Sequence, residues 1–311
     1  MVFGTGHLQC EEKYGIVEII ETEGILYTAD TACVWCYLEI FSEWKGYMYA
    51  VYKKHLKEQL YQMGLNGTET ILIHSSMKAI GDVEGGAETV LDAWMEYFKE
   101  GLLLLPTHTW KTVNESHPVF DSQKEPSCVG VLTNLFMKRE GVVRSLHPTH
   151  SMAGFGKHAA EYLAGEEYRN TPCTPGGCYD RLKDAGGKIL LVGVGHERNT
   201  YIHSVEEVLN VPNRLSDKPV KLTVVWPQGQ RDVYMRKHYN PDQPHISEDF
   251  VKLTQAFTDC GAAKNTVLGS ADCILCDAAK VFDVTRHVLA PEPECLVTRE
   301  RIEKERWAAY I

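Results

Sequence analysis

The sequence predicts an α/β fold in which helices cover a mixed β-sheet. Short apolar runs alternate along the chain with longer segments that carry apolar residues at helical spacing. Polar clusters rich in histidine and serine follow directly after those runs, which is where ligands bind in open α/β sheets. A content of 44% hydrophobic and 24% charged residues in 311 positions is that of an ordinary globular protein.

The predicted elements can be justified in chain order. The first helical pattern stops at Gly64, and glycine is a common helix stop. The apolar runs on either side of the second helical pattern are predicted strands, which makes a strand-helix-strand crossover of a parallel sheet. A turn at Gln228–Gln230 joins two short runs into an edge hairpin. The predictions are helix Tyr49–Met63, strand Thr70–His74, helix Gly86–Phe98, strand Leu102–Leu105, strand Lys188–Val194, helix Thr200–Asn210, hairpin strands Val220–Trp226 and Arg231–Met235, and helices Ser247–Cys260 and Ala271–Val284.

The first 47 residues differ from the rest, because they show no clean period over a full element. We predict an N-terminal extension over residues 1–47 and one α/β domain over residues 48–311. A formal net charge of −10 disfavours nucleic acid or a membrane as partner and suits a cationic small molecule. Without a long apolar run or a signal-peptide pattern, we expect a cytoplasmic protein.

Ten cysteines in such a chain are expected to be free thiols. A structural zinc site would need the two Cys-x-x-Cys pairs, Cys33/Cys36 and Cys273/Cys276, to meet. The second pair instead fits the buried side of the last predicted helix.

Two loops carry residues suited to anions. Gly85 and Gly86 stand at the start of a predicted helix, where backbone N–H groups and the helix dipole can hold a phosphate. A tight packing turn is the alternative. Arg144, His147 and His150 lie within eight residues, and a guanidinium can pair with phosphate. These histidines also allow a metal-dependent hydrolase as an alternative, although no His-Glu-x-x-His motif is present.

His203 and Glu206 are three residues apart on a predicted helix that follows an apolar strand. Their side chains can meet on one stripe as a general base and its orienting partner, and the start of a helix favours a neutral imidazole. The helical wheel places Val205 and Val208 on the buried face. His203, Glu206 and Glu207 are therefore expected on the wetter side, and a solvated polar stripe is the alternative.

Four separated motifs resemble, in the same order, those of the aminoglycoside 3-N-acetyltransferases, over about Met48 to Ala290. The motifs are His74-Ser75-Ser76, Gly81-Asp82-Val83-Glu84-Gly85-Gly86-Ala87, Arg144-Ser145-Leu146-His147-Pro148-Thr149-His150-Ser151, and Gly193-Val194-Gly195 with Asn199-Thr200-Tyr201-Ile202-His203-Ser204-Val205-Glu206. The segment Asn170–Tyr179 departs from the family pattern and leaves the acceptor specificity open.

This resemblance implies a three-layer α/β/α fold and acetyl-CoA as cosubstrate, with no metal. It also implies a cationic acceptor, the 3-amino group of a 2-deoxystreptamine aminoglycoside, and hence antibiotic resistance. We also allow for a homodimer. The implied catalytic residues are His203 and Glu206, the implied CoA-binding residues are His74, Ser75, Ser76, Val83, Gly85, Gly86, Arg144 and Ser145, and the implied acceptor-binding residues are His150, Asn199 and Glu207.

We expect direct acetyl transfer, with His203 taking the proton of the attacking amine. On this view Glu206→Gln should slow turnover less than loss of His203, because the base stays in place. A covalent route through Cys178 or Ser76 is the competing mechanism, but neither has a base next to it in sequence. An acetyltransferase for another amine and a non-catalytic binding protein remain as further alternatives.

Overall fold

The computed structural model describes residues 7–11, 16–22, 25–28, 51–239 and 245–310. The chain divides into two compact units, Met1–Ala50 and Val51–Ile311. In the first unit three short strands pair in an antiparallel sheet, although the sequence shows no clear period there. The role of residues 1–47 as an extension stays a prediction.

The strands are β1 (His7–Glu11), β2 (Ile16–Thr22), β3 (Ile25–Thr28), β4 (Thr70–Ser75), β5 (Leu102–Pro106), β6 (Val119–Asp121), β7 (Val143–Arg144), β8 (Met152–Gly156), β9 (Lys188–Val192), β10 (Val220–Trp226), β11 (Gly229–Met235), β12 (Ala263–Leu268) and β13 (Ala271–Asp277). The α-helices are Lys53–Gln62, Met77–Ile80, Gly86–Tyr97, Val131–Phe136, Ala159–Tyr162, Arg181–Asp184, Tyr201–Val208, Thr254–Asp259, Ala278–Leu289, Cys295–Thr298 and Glu305–Ala308. The 3-10 helices are Glu166–Tyr168, His196–Arg198 and Ile246–Leu253.

A seven-stranded sheet forms the centre of the second unit, in the order β12-β13-β9-β4-β5-β8-β7. β4 pairs in parallel with β5 and with β9, whereas the outer neighbours pair antiparallel. The predicted mixed sheet is therefore confirmed. Because β4 lies between β5 and β9, the carboxyl ends of three parallel strands meet at one edge, at the point where the strand order reverses.

Helices cover both faces of this sheet. Along β4, Leu72 packs into one buried core cluster, whereas Ile71 and Ile73 pack into a second cluster on the opposite face. A strand alternates its side chains between faces, so a continuous apolar run needs cover on both sides. The first cluster includes residues of the helices Tyr201–Val208 and Ala278–Leu289, and the second includes residues of the helices Lys53–Gln62 and Gly86–Tyr97. This arrangement confirms the three-layer fold.

The helix predicted over Ala271–Val284 is wrong in its first half. Residues 271–277 form β13, which pairs antiparallel with β9, and the helix begins at Ala278. A short strand buried on both faces cannot be told from a buried helical segment by periodicity alone. Cys273 and Cys276 are buried as predicted, but they pack into different clusters. Cys33 and Cys36, the other half of the zinc hypothesis, lie outside the described residues.

The predicted hairpin is confirmed as β10 and β11, which pair antiparallel. It does not extend the edge of the main sheet, however. The three-residue strand β6 pairs in parallel with β10, and the three strands form a separate small sheet. β6 is too short to leave a periodic signal in the sequence. This small sheet carries the chain to His238, whose ring stacks on a residue of the helix Tyr201–Val208.

Candidate active site

The polar clusters that follow β4, β5 and β9 meet in one histidine-rich site. The ring centroid of His108 lies 4.5 Å from that of His150, which lies 5.5 Å from His238. The His238 ring in turn stacks on His203 at 3.9 Å. His74, at the end of β4, is close enough to His108 for their positive charges to repel. The three polar clusters, which contain His74, His108 and His203, therefore face one another.

His203 and Glu206 form the central contact of this site. His203 Nδ1 lies 2.8 Å from Glu206 Oε2, and since a carboxylate only accepts, Nδ1 carries the proton and Nε2 the lone pair. The second oxygen of Glu206 accepts a 2.6 Å hydrogen bond from Arg214 Nε. Glu206 and Arg214 are only 1% and 2% exposed, so each charge depends on the other for compensation. The result is a buried Arg–Glu–His unit.

The expectation that His203, Glu206 and Glu207 lie on the wetter side of their helix is wrong. His203 is 8% exposed, whereas Val208, predicted to be buried, is 37% exposed. The ring of Phe250 packs edge-on against His203 at 4.7 Å, and His238 stacks on the same ring. Both residues come from later parts of the chain, so a helical wheel cannot reveal that they cover this face.

The environment of His203 favours its neutral form. Burial lowers the pKa of His203 to about 4, and the nearby His238 acts in the same direction, against the opposing effect of Glu206. Burial alone would raise the pKa of Glu206, but its hydrogen bond with His203 and the charge of Arg214 outweigh burial and lower the pKa. A neutral imidazole whose Nδ1–H donates a hydrogen bond to a carboxylate can act as a general base through its free Nε2.

The glycine loop leads into the helix Gly86–Tyr97 and contains two glycines in the left-handed region. Gly85 has φ +76° and Gly86 has φ +63°. A Cβ atom on Gly85 would approach Thr89 Oγ1 at 2.4 Å, whereas one on Gly86 would meet no atom of the described residues within 4 Å. Val83 holds the loop through a parallel bridge to Val51. Within the described part of the chain, space therefore lies open beside the backbone at the start of this helix.

His74, Ser75 and Ser76 lie at the carboxyl end of β4. His74 Nε2 is buried and has no hydrogen-bond partner within the described residues. Burial lowers the pKa of His74 to about 4, which keeps the ring neutral. The backbone N–H of Ser76 donates to the carbonyl of Val192 and thereby ties the ends of β4 and β9 together. An unpartnered buried nitrogen at this edge is suited to a polar ligand.

Arg144 and Ser145 are held by protein groups. The Arg144 guanidinium donates to the carbonyls of Glu125 at 2.6 Å and Thr107 at 2.9 Å. Ser145 Oγ accepts from the backbone N–H of Met152 at 3.0 Å. These contacts fasten the loop before β8 to its surroundings. A role of either residue in binding CoA stays a prediction.

The predicted acceptor residues are also engaged in the fold. Glu207 Oε1 accepts from the backbone N–H of Cys173 at 2.8 Å and lies 2.9 Å from His238 Nε2. Asn199 is 1% exposed, with its Nδ2 lying 3.4 Å from a ring nitrogen of His196. Their binding to an acceptor stays a prediction, and the same holds for His150.

Several site residues escaped the sequence analysis. Arg214 follows Glu206 by eight residues without any periodic signal, and His238 comes from beyond the hairpin. Tyr179, whose hydroxyl lies 2.5 Å from His108 Nε2, belongs to the segment Asn170–Tyr179 that departs from the family pattern. Only His108 had a recognisable signal, since it stands in the polar cluster that follows β5.

The cysteines near the site are buried free thiols. Burial raises the pKa of the Cys178 thiol well above its usual range, which disfavours the thiolate that a covalent route requires. Cys173, Glu207 and His238 place one potential ligand atom each within 4.8 Å of one another. Glu207 already accepts hydrogen bonds from the backbone N–H of Cys173 and from His238 Nε2, and the Cys173 thiol lies 3.8 Å from the carbonyl oxygen of Thr200. Among the described residues, no helix is long and apolar enough to cross a membrane.

A mixed α/β sheet flanked by helices, with a cluster of buried histidines at its switch point, defines an α/β protein with a candidate enzyme site at that edge. Comparison with known proteins gives the family within that class. The family model for aminoglycoside 3-N-acetyltransferase matches residues 72–290, and the chain belongs to this family. The resemblance drawn from the four motifs is thereby confirmed.

Individual relatives support this assignment. The chain is 28% identical over 262 residues to aminoglycoside N(3)-acetyltransferase VII of Streptomyces paromomycinus, covering 75% of this chain and 89% of the relative. It is 27% identical over 255 residues to the prophage-derived acetyltransferase-like protein YokD of Bacillus subtilis, covering 74% and 89%. Its curated relatives are thus acyltransferases.

Solved structures share the fold. The complex of AAC-IIIb with CoASH superposes with a TM-score of 0.66 at 20% identity, covering 76% of this chain and 95% of that structure. A variant of the aminoglycoside acetyltransferase AAC(3)-IVa with a bound gentamicin gives a TM-score of 0.68 at 23% identity, covering 79% and 90%.

Proposed function

We propose that this protein transfers the acetyl group of acetyl-CoA directly to the 3-amino group of a 2-deoxystreptamine aminoglycoside. The observation that carries the proposal is the buried His203–Glu206 contact, which leaves Nε2 of a neutral imidazole as a base. Family membership supports the acyl donor and the class of acceptor. The structural relatives include one complex with CoASH and one with gentamicin.

The reaction needs a base because an ammonium group cannot attack a thioester. The ammonium group first releases one proton to solvent, and the neutral amine then loses a second proton to His203 Nε2 while its nitrogen bonds to the acetyl carbon. The carbon–sulfur bond then breaks, and the thiolate of CoA leaves and takes up a proton, which the His203 imidazolium can return. A positioned base of this kind contributes about 10²- to 10⁴-fold to the rate.

Glu206 and Arg214 support this proton transfer without touching the substrate. Glu206 fixes the Nδ1 proton of His203 and stabilises the positive ring that forms during the reaction. Arg214 holds Glu206 in its charged state through a 2.6 Å hydrogen bond. Because Arg214 partly neutralises Glu206, the carboxylate orients His203 without making it strongly basic in the resting enzyme.

For the donor, we propose that the glycine loop and the end of β4 receive acetyl-CoA. The open space at Gly86 lies at a helix start, where backbone N–H groups and the dipole attract phosphate. His74, with its unpartnered Nε2, and the adjacent Ser75 and Ser76 offer polar contacts to the pantetheine arm. Arg144 also lines a cavity of about 650 Å³, and Lys138 is a second basic residue in the wall of that cavity.

The acceptor side is proposed to include His150, Asn199 and Glu207. Glu207 would act through His238 and the loop of Cys173, since its oxygens already accept hydrogen bonds from them. The segment that departs from the family pattern thus packs directly against this side of the site. This packing keeps a different amine as an alternative acceptor.

An acetyl-CoA thiol-release assay over a panel of amines tests the proposal. The panel should hold 2-deoxystreptamine aminoglycosides, aminoglycosides blocked at the 3-amino group, and simple mono- and diamines. Release with free but not with blocked aminoglycosides supports the acceptor. Release only with simple amines keeps the chemistry and replaces the acceptor, whereas no release with any amine supports a pure binding protein. Metal analysis of chelator-washed, active protein addresses the hydrolase alternative.

A further inference from the structure

Three side chains with metal-binding donor atoms meet on the proposed acceptor side of the site. The Cys173 sulfur, a carboxylate oxygen of Glu207 and a ring nitrogen of His238 all lie within 4.8 Å of one another. The cysteine comes from the loop that follows the 3-10 helix Glu166–Tyr168, the glutamate from the helix Tyr201–Val208, and the histidine from the segment after β11. We call these three residues the Cys–Glu–His trio.

The Cys–Glu–His trio is largely shielded from water. Cys173 and the side chain of Glu207 are each only 2% exposed, whereas the side chain of His238 is 14% exposed. Water therefore competes little with these donor atoms, and an ion can enter past His238. This burial distinguishes the trio from an exposed acidic cluster, which attracts cations without holding one in a fixed place.

The donor atoms of the trio suit a zinc ion. Zinc binds cysteine sulfur, histidine nitrogen and carboxylate oxygen, and a site with three such protein ligands keeps a fourth position open. A Cys173 thiolate and the Glu207 carboxylate together balance the two positive charges of the ion, which a buried place requires. Zinc holds its donor atoms at about 2.0–2.3 Å, so the ligands of one ion lie within about 4.5 Å of one another. The trio reaches that size by a small rotation of one side chain.

The surroundings already hold two of the three ligands in place. Glu207 Oε1 accepts a hydrogen bond from the backbone N–H of Cys173 at 2.8 Å, and Glu207 Oε2 accepts one from the hydroxyl of Thr171. An isolated bridge to Leu215 anchors the backbone of His238. Such outer contacts orient metal ligands before an ion arrives and raise the affinity of the site.

A bound ion would take the place of two protons. His238 Nε2 now donates to Glu207 Oε1 at 2.9 Å, and the Cys173 thiol makes a long contact of 3.8 Å with the carbonyl oxygen of Thr200. On binding, the His238 proton moves from Nε2 to Nδ1 through solvent, and the thiol proton is released. Bonds from the ion to the sulfur, to Nε2 and to the Glu207 carboxylate then form, and one proton leaves the protein for each ion.

We propose that Cys173, Glu207 and His238 form a zinc site, and that an ion bound there inhibits the enzyme by occupying the acceptor side. The inhibition rests on the proposed function, in which Glu207 belongs to the acceptor side. The His238 ring also stacks on His203 at 3.9 Å, so the ion would add positive charge close to the base and repel a cationic acceptor. The zinc site itself does not depend on that function.

Zinc binding can be measured without turnover. Chelator-washed, full-length protein with reduced thiols is titrated with Zn²⁺ against a chromophoric chelator, and separately with Co²⁺, whose bond to a thiolate gives a near-ultraviolet absorption band. The variants Cys173→Ser and His238→Gln each remove one ligand. Cys178→Ser is the matched control, because Cys178 is a second buried free thiol of the same segment and lies outside the trio.

We expect one zinc ion per chain in the trio. Zinc affinity should fall at least about 100-fold in Cys173→Ser and in His238→Gln, since even the loss of an outer contact costs about 10- to 100-fold. The Cys178→Ser control should bind zinc like wild type and keep the Co²⁺ band, which Cys173→Ser should lose. Circular dichroism shows whether each variant is folded, and His238→Gln tests the site if Cys173→Ser does not fold. A zinc affinity that a folded ligand variant leaves unchanged would place the ion elsewhere in the chain and overturn the proposal.

Inhibition is measured by mass spectrometry of the acetylated acceptor, because the free thiol of CoA also binds zinc. In wild type and in Cys178→Ser, added Zn²⁺ should lower the rate, a chelator should restore it, and more acceptor should weaken the effect. Cys173→Ser, compared with its own metal-free rate, should need about 100-fold more zinc for the same loss. Zinc that fills the trio without slowing acetylation would overturn the inhibitory role. The titration judges the zinc site even if the protein is inactive with every amine, so the two proposals fail separately.

Discussion

Glu206→Gln should nearly abolish turnover, because the amide would invert the tautomer of His203, the proposed base. Glu206 stands between two donors, Arg214 Nε at 2.6 Å and His203 Nδ1 at 2.8 Å. A carboxylate can accept from both. An amide has only one oxygen, and its nitrogen must donate.

The guanidinium of Arg214 cannot accept a hydrogen bond, so the new amide oxygen would turn toward Arg214. The amide nitrogen would then face His203 Nδ1, which must become an acceptor and move its proton to Nε2. The lone pair that should take the proton of the amine is thereby lost. The same carboxylate-to-amide change in a Ser-His-Asp triad lowers kcat by about 10⁴-fold. We expect a loss of at least about 10³-fold, which replaces the milder effect that the sequence alone suggested.

Stability should fall as well, because Arg214 would keep a buried charge without a charged partner. Breaking one side of a buried ion pair costs about 3–5 kcal/mol. Circular dichroism and a melting curve therefore accompany the kinetic assay, which is run well below the melting transition. Acetyl-CoA affinity by calorimetry should stay close to that of wild type.

A double variant separates the tautomer argument from a general loss of charge. In Glu206→Gln with Arg214→Met, no guanidinium holds the amide oxygen, so the amide can turn and accept from His203 Nδ1. We expect the double variant to recover part of the turnover that the single variant loses. A single variant within about tenfold of wild type, or a double variant no faster than the single one, would refute the reasoning.

The glycine loop, the N-terminal segment and the buried histidines each support a further prediction. Gly86→Asp should bind acetyl-CoA about tenfold more weakly than Gly86→Asn at low salt. Both side chains strain the backbone in the same way, but only the aspartate adds a negative charge beside the phosphates. Equal affinities of the two variants by calorimetry would count against this phosphate site. A shortened chain that begins at Met48 keeps the bridge between Val51 and Val83. It should therefore have the melting temperature and turnover of the full chain. A large loss of either would show that residues 1–47 belong to the domain. The buried histidines with a pKa of about 4 are His74, His196 and His203. Their folded pKa lies below the unfolded value of about 6.5, so the stability they contribute is full above pH 6.5 and is lost toward pH 4, at about 1.4 kcal/mol per pH unit for each. Melting temperature should therefore drop steeply below pH 6.5, and a flat profile down to pH 5 would contradict the buried neutral state.

The sequence predicted the central layer of the fold and the contact between His203 and Glu206 well. β4, β5 and β9 are buried on both faces, and such strands appear as continuous apolar runs. The spacing of His203 and Glu206 places both side chains on one helical stripe, so local geometry sufficed to predict their contact. Four separated motifs then pointed to the family, which the comparison confirmed.

What the sequence could not predict depends on contacts between distant parts of the chain. The burial of His203 is due to His238 and Phe250, which no helical wheel includes. Arg214 completes the Glu206 site from a loop without periodic pattern. The sequence of β13 resembles that of a buried helical segment, because a strand covered on both faces shows no clear alternation. A homodimer, the compartment and the acceptor stay predictions.

Turnover by His203→Ala, measured with a confirmed acceptor, tests the central claim most directly. The variant removes the base and leaves the glycine loop untouched. We expect kcat to fall by about 10²-fold or more, while calorimetry shows acetyl-CoA affinity close to that of wild type. A folded His203→Ala protein that acetylates the acceptor at a near-normal rate would contradict general-base catalysis by this residue.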